Sequence, residues 1–461
     1  MIKIDSDLHP IDLKSRIEKL WECSAAKIFA IDRAEIPGAA TAVYTVNGKY
    51  TARGWTEWTQ GFVYGSAILQ FDAFLDEAFL KIGRERTVSR MANHLTHTGV
   101  HDHGFNNVST YGNLWRLMNE GRIPENRWER NFYELALKCS GAVQAARWTF
   151  TNNGKGFIHS FNGPHSLFAD TMRSLRALAL SHQLGHALMG ERDEKISLLR
   201  RLIEHARTTA KWTVYYGANR DAYDVRGRVA HESLFNVTDG SYRCPGTQQG
   251  YSPFSTWTRG LAWVMCGFAE QLEWLAARGE SDLESVGGQE AIEAVFLNAA
   301  RASCDFYIEH TPTDGVPYWD TGAPGLLRLG DYLDRPADPF NDHEPVDSSA
   351  AVIAAQGLLR LGRFLNSRGE TDDGLRYSQA ALTILRTLFD EPYLCSDGRH
   401  QGLILHSVYH RPNGWDHIPD GRKVPSGESS MWGDYHAREV AVYVQRLYEQ
   451  KPYLTFFGAS A

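Results

Sequence analysis

The chain has 461 residues, of which 43% are hydrophobic and 22% are charged, and its formal net charge is −7. These values are typical of a globular protein, and an acidic balance without long charge runs argues against a nucleic acid or an anionic membrane as a partner. The aromatic share of 12%, with 13 Trp, is more than a generic core requires.

The six scattered cysteines form no CxxC pair and predict free thiols in a reducing compartment. The first residues, Met1-Ile-Lys-Ile-Asp-Ser-Asp, contain acids where a secretory leader has a basic end and an apolar stretch. No apolar run approaches the length that crosses a bilayer. These features predict a cytoplasmic protein.

Apolar residues recur at helical spacing along the whole chain. The spacing predicts helices near 11–30, 60–83, 84–98, 107–120, 126–148, 166–189, 191–213, 256–278, 289–310, 347–367, 372–390 and 432–450. Asn47-Gly48 predicts one β-hairpin between them. Twelve helices without strand–helix alternation favour an all-α (α/α)6 barrel of six helical hairpins, with residues 1–461 as a single domain. A two-layer helical array is the alternative.

Three long segments, 214–255, 311–346 and 391–431, lack a helical pattern and are rich in Gly, Pro, Asp and aromatic residues. Loops of this length in a compact domain are usually functional. In a helical ring they would gather at one mouth, so we expect them to form a cleft there.

The segment 248–263 sets two amides, two indoles and a guanidinium close together. The indoles of Trp257 and Trp263 suit the C–H faces of a sugar ring, and the Arg259 fork suits a carboxylate or sulfate. A cleft built from these residues would bind an acidic carbohydrate.

Two aspartates are candidate catalytic acids: Asp102 in His101-Asp-His-Gly-Phe105, and Asp170 in Phe168-Ala-Asp-Thr-Met172. Either one alone could simply cap a helix. As a pair near an aromatic cleft they could hold one proton at neutral pH.

His-Asp-His is not a usual zinc arrangement, and the sequence contains no phosphate-binding loop and no nucleophile elbow. We therefore expect neither a metal nor a cofactor. The rings of His101, His103 and His231 are expected to hydrogen-bond the carboxylates or the ligand.

Several segments share their order with the unsaturated glucuronyl hydrolases of glycoside hydrolase family 88. They are Trp58-Thr-Gln-Gly-Phe62, His101–Phe105, Ala169-Asp-Thr-Met172, Gln249-Gly-Tyr-Ser252, Trp257-Thr-Arg-Gly-Leu-Ala-Trp263, Val316-Pro-Tyr-Trp-Asp320, Asp347-Ser-Ser-Ala-Ala351 and Trp432-Gly-Asp-Tyr435. The chain resembles this family from about residue 55 to 450.

The resemblance implies an (α/α)6 barrel that acts, without metal or cofactor, on a Δ4,5-unsaturated uronic acid at the non-reducing end of lyase-generated oligosaccharides. It implies Asp170 as the general acid/base, which protonates C4 before water adds at C5, and Asp102 as the carboxylate that raises the pKa of Asp170. The substrate-cleft residues implied are Trp58, His231, Gln249, Trp257, Arg259 and Trp263, and His101 and Ser407 are further candidates for substrate binding. We expect an acidic unsaturated oligosaccharide, of glycosaminoglycan type, as substrate and a monomer or homodimer.

The chain also departs from the family. His103 and Gln248 stand where the family has an apolar residue and a histidine. Ser407-x-x-His410-x-Pro412 replaces a Ser-x-x-Ser-x-Lys sulfate-binding pattern. Three alternatives stay open: an unsaturated rhamnogalacturonyl hydrolase, a sugar 2-epimerase that relies on histidines, and a non-catalytic glycan-binding protein.

Overall fold

The computed structural model of the protein describes residues 1–34, 41–52 and 57–458. Its α-helices are α1 (Lys14–Ala34), α2 (Gln60–Phe74), α3 (Glu77–Arg90), α4 (Ala92–Leu95), α5 (His103–Asn107), α6 (Asn113–Asn119), α7 (Arg127–Ala146), α8 (Thr171–Ser174), α9 (Arg176–Gln183), α10 (Leu198–Trp212), α11 (Thr258–Ala276), α12 (Glu280–Glu284), α13 (Gln289–Glu309), α14 (Ser348–Ser367), α15 (Thr371–Leu388) and α16 (Met431–Tyr448). A π-helical turn, Val108–Gly112, joins α5 to α6. Short 3₁₀ helices cover Pro10–Leu13, Glu57–Thr59, Glu191–Asp193, Pro324–Leu329, Tyr332–Asp334 and Arg411–Asn413.

The helices form two concentric rings. The inner ring runs through α2, α5 with α6, α8 with α9, α11, α14 and α16, and α16 packs back against α2 to close it. The outer helices α1, α3, α7, α10, α13 and α15 alternate with the inner positions along the chain. This arrangement confirms the predicted (α/α)6 barrel.

The inner helices are apolar and buried on nearly every side, as helices enclosed by a second ring must be. Their contacts leave no room for side chains at some crossings: a Cβ on Gly357 would lie 2.8 Å from the backbone nitrogen of Cys266. The main core cluster of apolar side chains reaches from Ile2 to Phe457, and Phe157, Leu167 and Phe235 form a second, smaller cluster.

A buried ion network links four inner-ring helices. Arg173 on α8 lies 2.9 Å from Glu270 on α11 and 2.8 Å from Glu439 on α16. Arg360 on α14 lies 3.7 Å from Glu270. Removing one partner of such a network leaves an unpaired buried charge, at a cost of ~3–5 kcal/mol. The network therefore favours this order of neighbours in the ring.

The strands are short and antiparallel: β1 (Tyr44–Val46), β2 (Lys49–Thr51), β3 (Trp148–Phe150), β4 (Gly156–Ile158), β5 (Ser166–Phe168), β6 (Leu188–Met189), β7 (Lys195–Ile196), β8 (Glu232–Phe235) and β9 (Tyr242–Gly246). The predicted hairpin is confirmed, since β1 and β2 pair around Asn47 and Gly48, both at positive φ. The sheet β5-β8-β9 lies in segments for which the sequence predicted either a helix or a loop.

Several predicted helices have different bounds in the structure, and two of them show why. The run 60–83 is divided at Leu75, which has a left-handed φ of 59°, and the Asp76 side chain caps α3 by accepting from the Ala78 N–H. The run 166–189 begins with β5 and contains α8 and α9. Neither break disturbs the alternation of inner and outer helices.

None of the described helices combines the length and apolar character that a membrane span requires. The inner helices all begin at one mouth of the barrel, because each follows an outer helix that runs the opposite way. The segments between α10 and α11, α13 and α14, and α15 and α16 gather at this mouth, as predicted for a cleft.

Candidate active site

A cleft with ≈580 Å³ of space lies at the amino ends of the inner helices. Its lining residues are Trp58, Val100, His101, Asp102, Phe105, Phe161, Asp170, Gln248, Gln249, Trp257, Arg259, Trp263, Tyr409, His410 and Trp415. Helix amino ends carry partial positive charge, so their convergence on the cleft favours an anionic ligand.

The two predicted acids each precede an inner helix, Asp102 before α5 and Asp170 before α8. These segments touch through Gly104: its N–H donates to Ser174 Oγ at 2.9 Å, and a Cβ there would lie 2.1 Å from the Ser174 carbonyl oxygen. Ser174 Oγ also donates to the His101 carbonyl at 2.7 Å. The absence of a side chain at Gly104 therefore allows the two acids to approach each other.

His101 lies between the two carboxylates. Its Nε2 is 3.2 Å from Asp170 Oδ1 and 3.8 Å from Asp102 Oδ1, and one oxygen of each acid lies within 4.8 Å of the other. All three residues are at least nine-tenths buried. The structure thus brings the predicted pair together, with an imidazole that the sequence suggested only as a hydrogen-bonding neighbour.

The charges of this triad differ from the prediction. Burial raises the pKa of Asp102 to about 6, a rise that the charge of Asp170 supports and that of His101 opposes. Burial would also raise the pKa of Asp170, but the charge and hydrogen bond of His101 outweigh it and lower that pKa. Both carboxylates in turn raise the pKa of His101 against its burial. These shifts favour the protonated form of His101 and the ionised form of Asp170, and Asp102 is the acid with the raised pKa.

The same three ligand atoms are close enough to one another to hold a divalent cation. They offer one nitrogen and two oxygens, a donor set that suits transition metals. An ion at Nε2 would have to displace the proton that both carboxylates stabilise there.

Arg259, predicted to bind a carboxylate or sulfate, is engaged inside the protein. Its Nη1 contacts Asp347 Oδ2 at 3.2 Å and the Val408 carbonyl, and its Nη2 donates to the Tyr409 carbonyl at 2.7 Å and to Gln249 Oε1 at 3.2 Å. The side chain is 1% exposed. Its fork therefore fixes two walls of the cleft to each other.

The indoles are arranged around this guanidinium. Trp257 and Trp432 both lie against Arg259, each ring centre 4.7 Å from its central carbon. Trp432 is fully buried and stacks on Trp58 at 5.1 Å. Trp58, Trp257 and Trp263 line the cleft. Trp58 is half-buried and the other two are 2% exposed, so Trp58 offers the most accessible face to a sugar ring.

His231 lies behind the cleft wall and is not among the lining residues. Its ring packs against Phe168 at 4.4 Å and against the edge of Trp257 at 4.8 Å. Its Nδ1 accepts the main-chain N–H of Gln248 at 3.0 Å. His231 thereby fixes the backbone from which Gln248 and Gln249 extend.

The structure does not bring Ser407 to the cleft. Its Oγ lies 3.2 Å from Ser348 Oγ, and the residue is 2% exposed. The next two carbonyls in the chain hold Arg259, and Asp416 accepts the main-chain N–H groups of Tyr409 and His410. This stretch is a wall of the cleft, with Tyr409, His410 and Trp415 as its lining residues.

Four aromatic or imidazole lining residues were missed by the sequence reasoning: Phe161, Tyr409, His410 and Trp415. The last three lie in the predicted long loop 391–431, where an aromatic pair flanking Pro412 and Gly414 was an available signal. Phe161 follows β4 in a turn, and nothing in its local sequence distinguishes it from any other surface aromatic residue.

The chain matches no model of a known protein family. It is 24% identical over 399 residues to an unsaturated glucuronyl hydrolase of Formosa agariphila, a match that covers 85% of this chain and 80% of the relative. It is 30% identical over 217 residues to an unsaturated glucuronyl hydrolase of Bacillus sp. strain GL1, covering 47% of this chain and 46% of that one.

The solved structure of the unsaturated glucuronyl hydrolase from Bacillus sp. GL1 superimposes with a TM-score of 0.68 at 22% identity, covering 92% of this chain and 97% of that chain. It shares the helical barrel described above. The predicted resemblance is therefore confirmed: the chain is similar in sequence to unsaturated glucuronyl hydrolases over most of its length and shares their barrel fold.

Proposed function

We propose that this protein removes a Δ4,5-unsaturated uronic acid from the non-reducing end of lyase-generated oligosaccharides, with glycosaminoglycan-type disaccharides as the substrate class. The observation that carries the proposal is the contact of His101 with Asp170 and Asp102 inside an aromatic cleft. The activity named for the sequence relatives supports it.

The chemistry requires a proton at an alkene carbon. An unsaturated uronate is an enol ether, so adding a proton to C4 creates positive charge at C5 that the ring oxygen stabilises. Water then adds to C5 and loses a proton, and the resulting hemiketal opens to a C5 ketone. The hemiacetal left at C1 expels the neighbouring sugar. No nucleophile attacks the anomeric carbon, so the carboxylate spacings of ordinary glycosidases do not apply.

Asp170 is proposed as the group that faces C4, with His101 as the store of its proton. The imidazolium passes a proton along the 3.2 Å contact to Asp170, which delivers it to C4. The Asp170 carboxylate then accepts a proton from the water that attacks C5. An incoming uronate adds negative charge near the triad, which raises the pKa of Asp170 and favours the first transfer.

Asp102 is proposed to hold the imidazolium in place and to supply a second negative charge beside it. It is not hydrogen-bonded to His101 at 3.8 Å, so its influence is electrostatic. Burial raises the pKa of Asp102 to about 6, so this residue supplies its negative charge only above that pH. At mildly acidic pH the protonated Asp102 leaves the imidazolium and the Asp170 carboxylate to balance each other.

Binding is proposed to combine stacking with helix amino ends. Because Gln249 Oε1 already accepts from Arg259, its Nε2 group is the donor that remains for the substrate carboxylate. The faces of Trp58, Trp257 and Trp263 would flank the sugar ring.

The test follows the enol-ether absorbance of unsaturated disaccharides prepared with several polysaccharide lyases. The enol-ether absorbance is expected to disappear with glycosaminoglycan fragments. Its disappearance with pectin fragments alone would instead identify a rhamnogalacturonyl hydrolase. An unchanged band with isomerisation of a saturated amino sugar would favour a 2-epimerase. Binding without any turnover would favour a glycan-binding protein.

A further inference from the structure

Gln248 lines the cleft and has a side-chain oxygen that no described group of the protein satisfies. This oxygen, Oε1, is buried. A buried acceptor without a partner is unfavourable, because its desolvation is not offset by a hydrogen bond. A ligand that brings a donor to this oxygen recovers that cost.

The backbone that carries this amide is fixed. The Gln248 N–H donates to His231 Nδ1 at 3.0 Å, and two residues later Gly250 N–H donates to Thr247 Oγ1 at 2.9 Å. The Tyr251 N–H donates to buried Asp320 at 2.8 Å. The side chain therefore enters the cleft from a constrained turn.

The described lining residues offer no uncommitted cation near this acceptor. Both terminal nitrogens of Arg259 are engaged in hydrogen bonds to Asp347, Gln249 and two carbonyls. His101 lies between two carboxylates. His410 is mostly neutral at neutral pH, because burial and the charge of Arg259 lower its pKa to about 4. This wall therefore complements a hydroxyl or an amide N–H better than a sulfate ester.

We propose that Gln248 is a specificity-determining residue that selects a substrate bearing a hydroxyl or acetamido donor at the position it contacts, in preference to one with a sulfate ester there. This inference rests on the proposed hydrolase function. It adds the chemical class of the substituent that the cleft recognises.

The experiment compares kcat/KM for unsaturated disaccharides that differ by a single sulfate, in the wild type, Gln248→Met and Gln248→Lys. The wild type is expected to prefer the unsulfated member of at least one pair. Gln248→Met removes the acceptor at similar length and should lower kcat/KM for that unsulfated sugar roughly 3- to 10-fold. The kcat/KM for the sulfated sugar should change less, so the preference for the unsulfated sugar over the sulfated one should become smaller.

Gln248→Lys places a cation at the same point and should raise kcat/KM for the sulfated sugar relative to the wild type. The role of Gln248 would be overturned if the ratio of kcat/KM for the unsulfated and sulfated sugars were equal in the wild type and both variants. It would also be overturned if the wild type preferred the sulfated member of every pair. If the wild type consumes no unsaturated disaccharide at all, the proposed hydrolase function fails instead. Thermal unfolding of both variants verifies that the fold is intact.

Discussion

Gly104 lies directly against the backbone of Ser174, and this contact joins the segment that carries Asp102 to the segment that carries Asp170. The two acids are 68 positions apart in the sequence (170 − 102). Their distance in the folded protein therefore depends on how closely these two backbones approach.

Gly104→Ala should separate the acids, because its Cβ would lie 2.1 Å from the Ser174 carbonyl oxygen. A displacement of about 1 Å in a catalytic group can cost ~10²-fold in rate, and we expect a loss of kcat/KM of that order. The measurement is steady-state hydrolysis of an unsaturated disaccharide. Gly398→Ala, where a Cβ would meet nothing within 4 Å, is the matched control. Equal rates in both variants would contradict the argument.

His101→Asn should lower the rate and change its pH dependence. Loss of a hydrogen bond to a charged group is worth ~1.5–3 kcal/mol, so a decrease of roughly 10- to 100-fold is expected. The carboxylates raise the pKa of His101, so the wild type keeps the stored proton at a pH where Asp170 alone would not. The alkaline limb of the pH–rate profile should therefore move to lower pH in the variant. A lower rate with an unchanged profile would reduce His101 to a structural role.

Asp102→Asn should gain stability relative to the wild type as the pH rises. The unfolded carboxyl titrates near 3.8 and the folded one near about 6, so between these values the folded state binds more protons and wild-type stability falls with rising pH. An asparagine at this position does not titrate, so it contributes no pH dependence to the stability. Urea unfolding at pH 4 and pH 7 should show a relative gain for the variant of ~1–3 kcal/mol. A relative loss at pH 7 would show that the ionised Asp102 is favoured in the fold.

Arg259→Met should mainly affect stability. It removes the four contacts that hold the cleft walls and leaves Asp347 without its buried cation, at a cost of ~3–5 kcal/mol. Arg399→Met breaks a surface ion pair whose arginine is 92% exposed, and should change the free energy of unfolding little. Chemical denaturation compares the two. If Arg259→Met were as stable as the wild type and only its KM were raised, the result would instead support direct substrate binding by this arginine.

The ring of helices was predictable because apolar periodicity and helix count survive errors in the ends of individual helices. The break at Leu75 was not, since one left-handed residue followed by a capping Asp76 leaves the helical period almost unchanged. The strands β5, β8 and β9 were missed because each is only a few residues long. In addition, β5 pairs with β8 across more than 60 positions, and the pairing of β8 with β9 is irregular.

The composition of the cleft followed from the motifs, but its hydrogen bonds did not. Sequence pattern suggested an Arg259 fork facing the substrate, whereas the fork is occupied by carbonyls of Val408 and Tyr409, about 150 residues away. The proton assignment likewise depends on His101 lying between two acids, a distance that no local pattern encodes.

The most direct test of the account measures Asp170→Asn with a lyase-generated disaccharide, following both the enol-ether absorbance and binding. Turnover by Asp170→Asn is expected to fall ~10²- to 10⁴-fold, because the general acid is lost, while the disaccharide still binds. Loss of the enol-ether absorbance at a near-normal rate in the Asp170→Asn variant would contradict the role of Asp170 as the general acid.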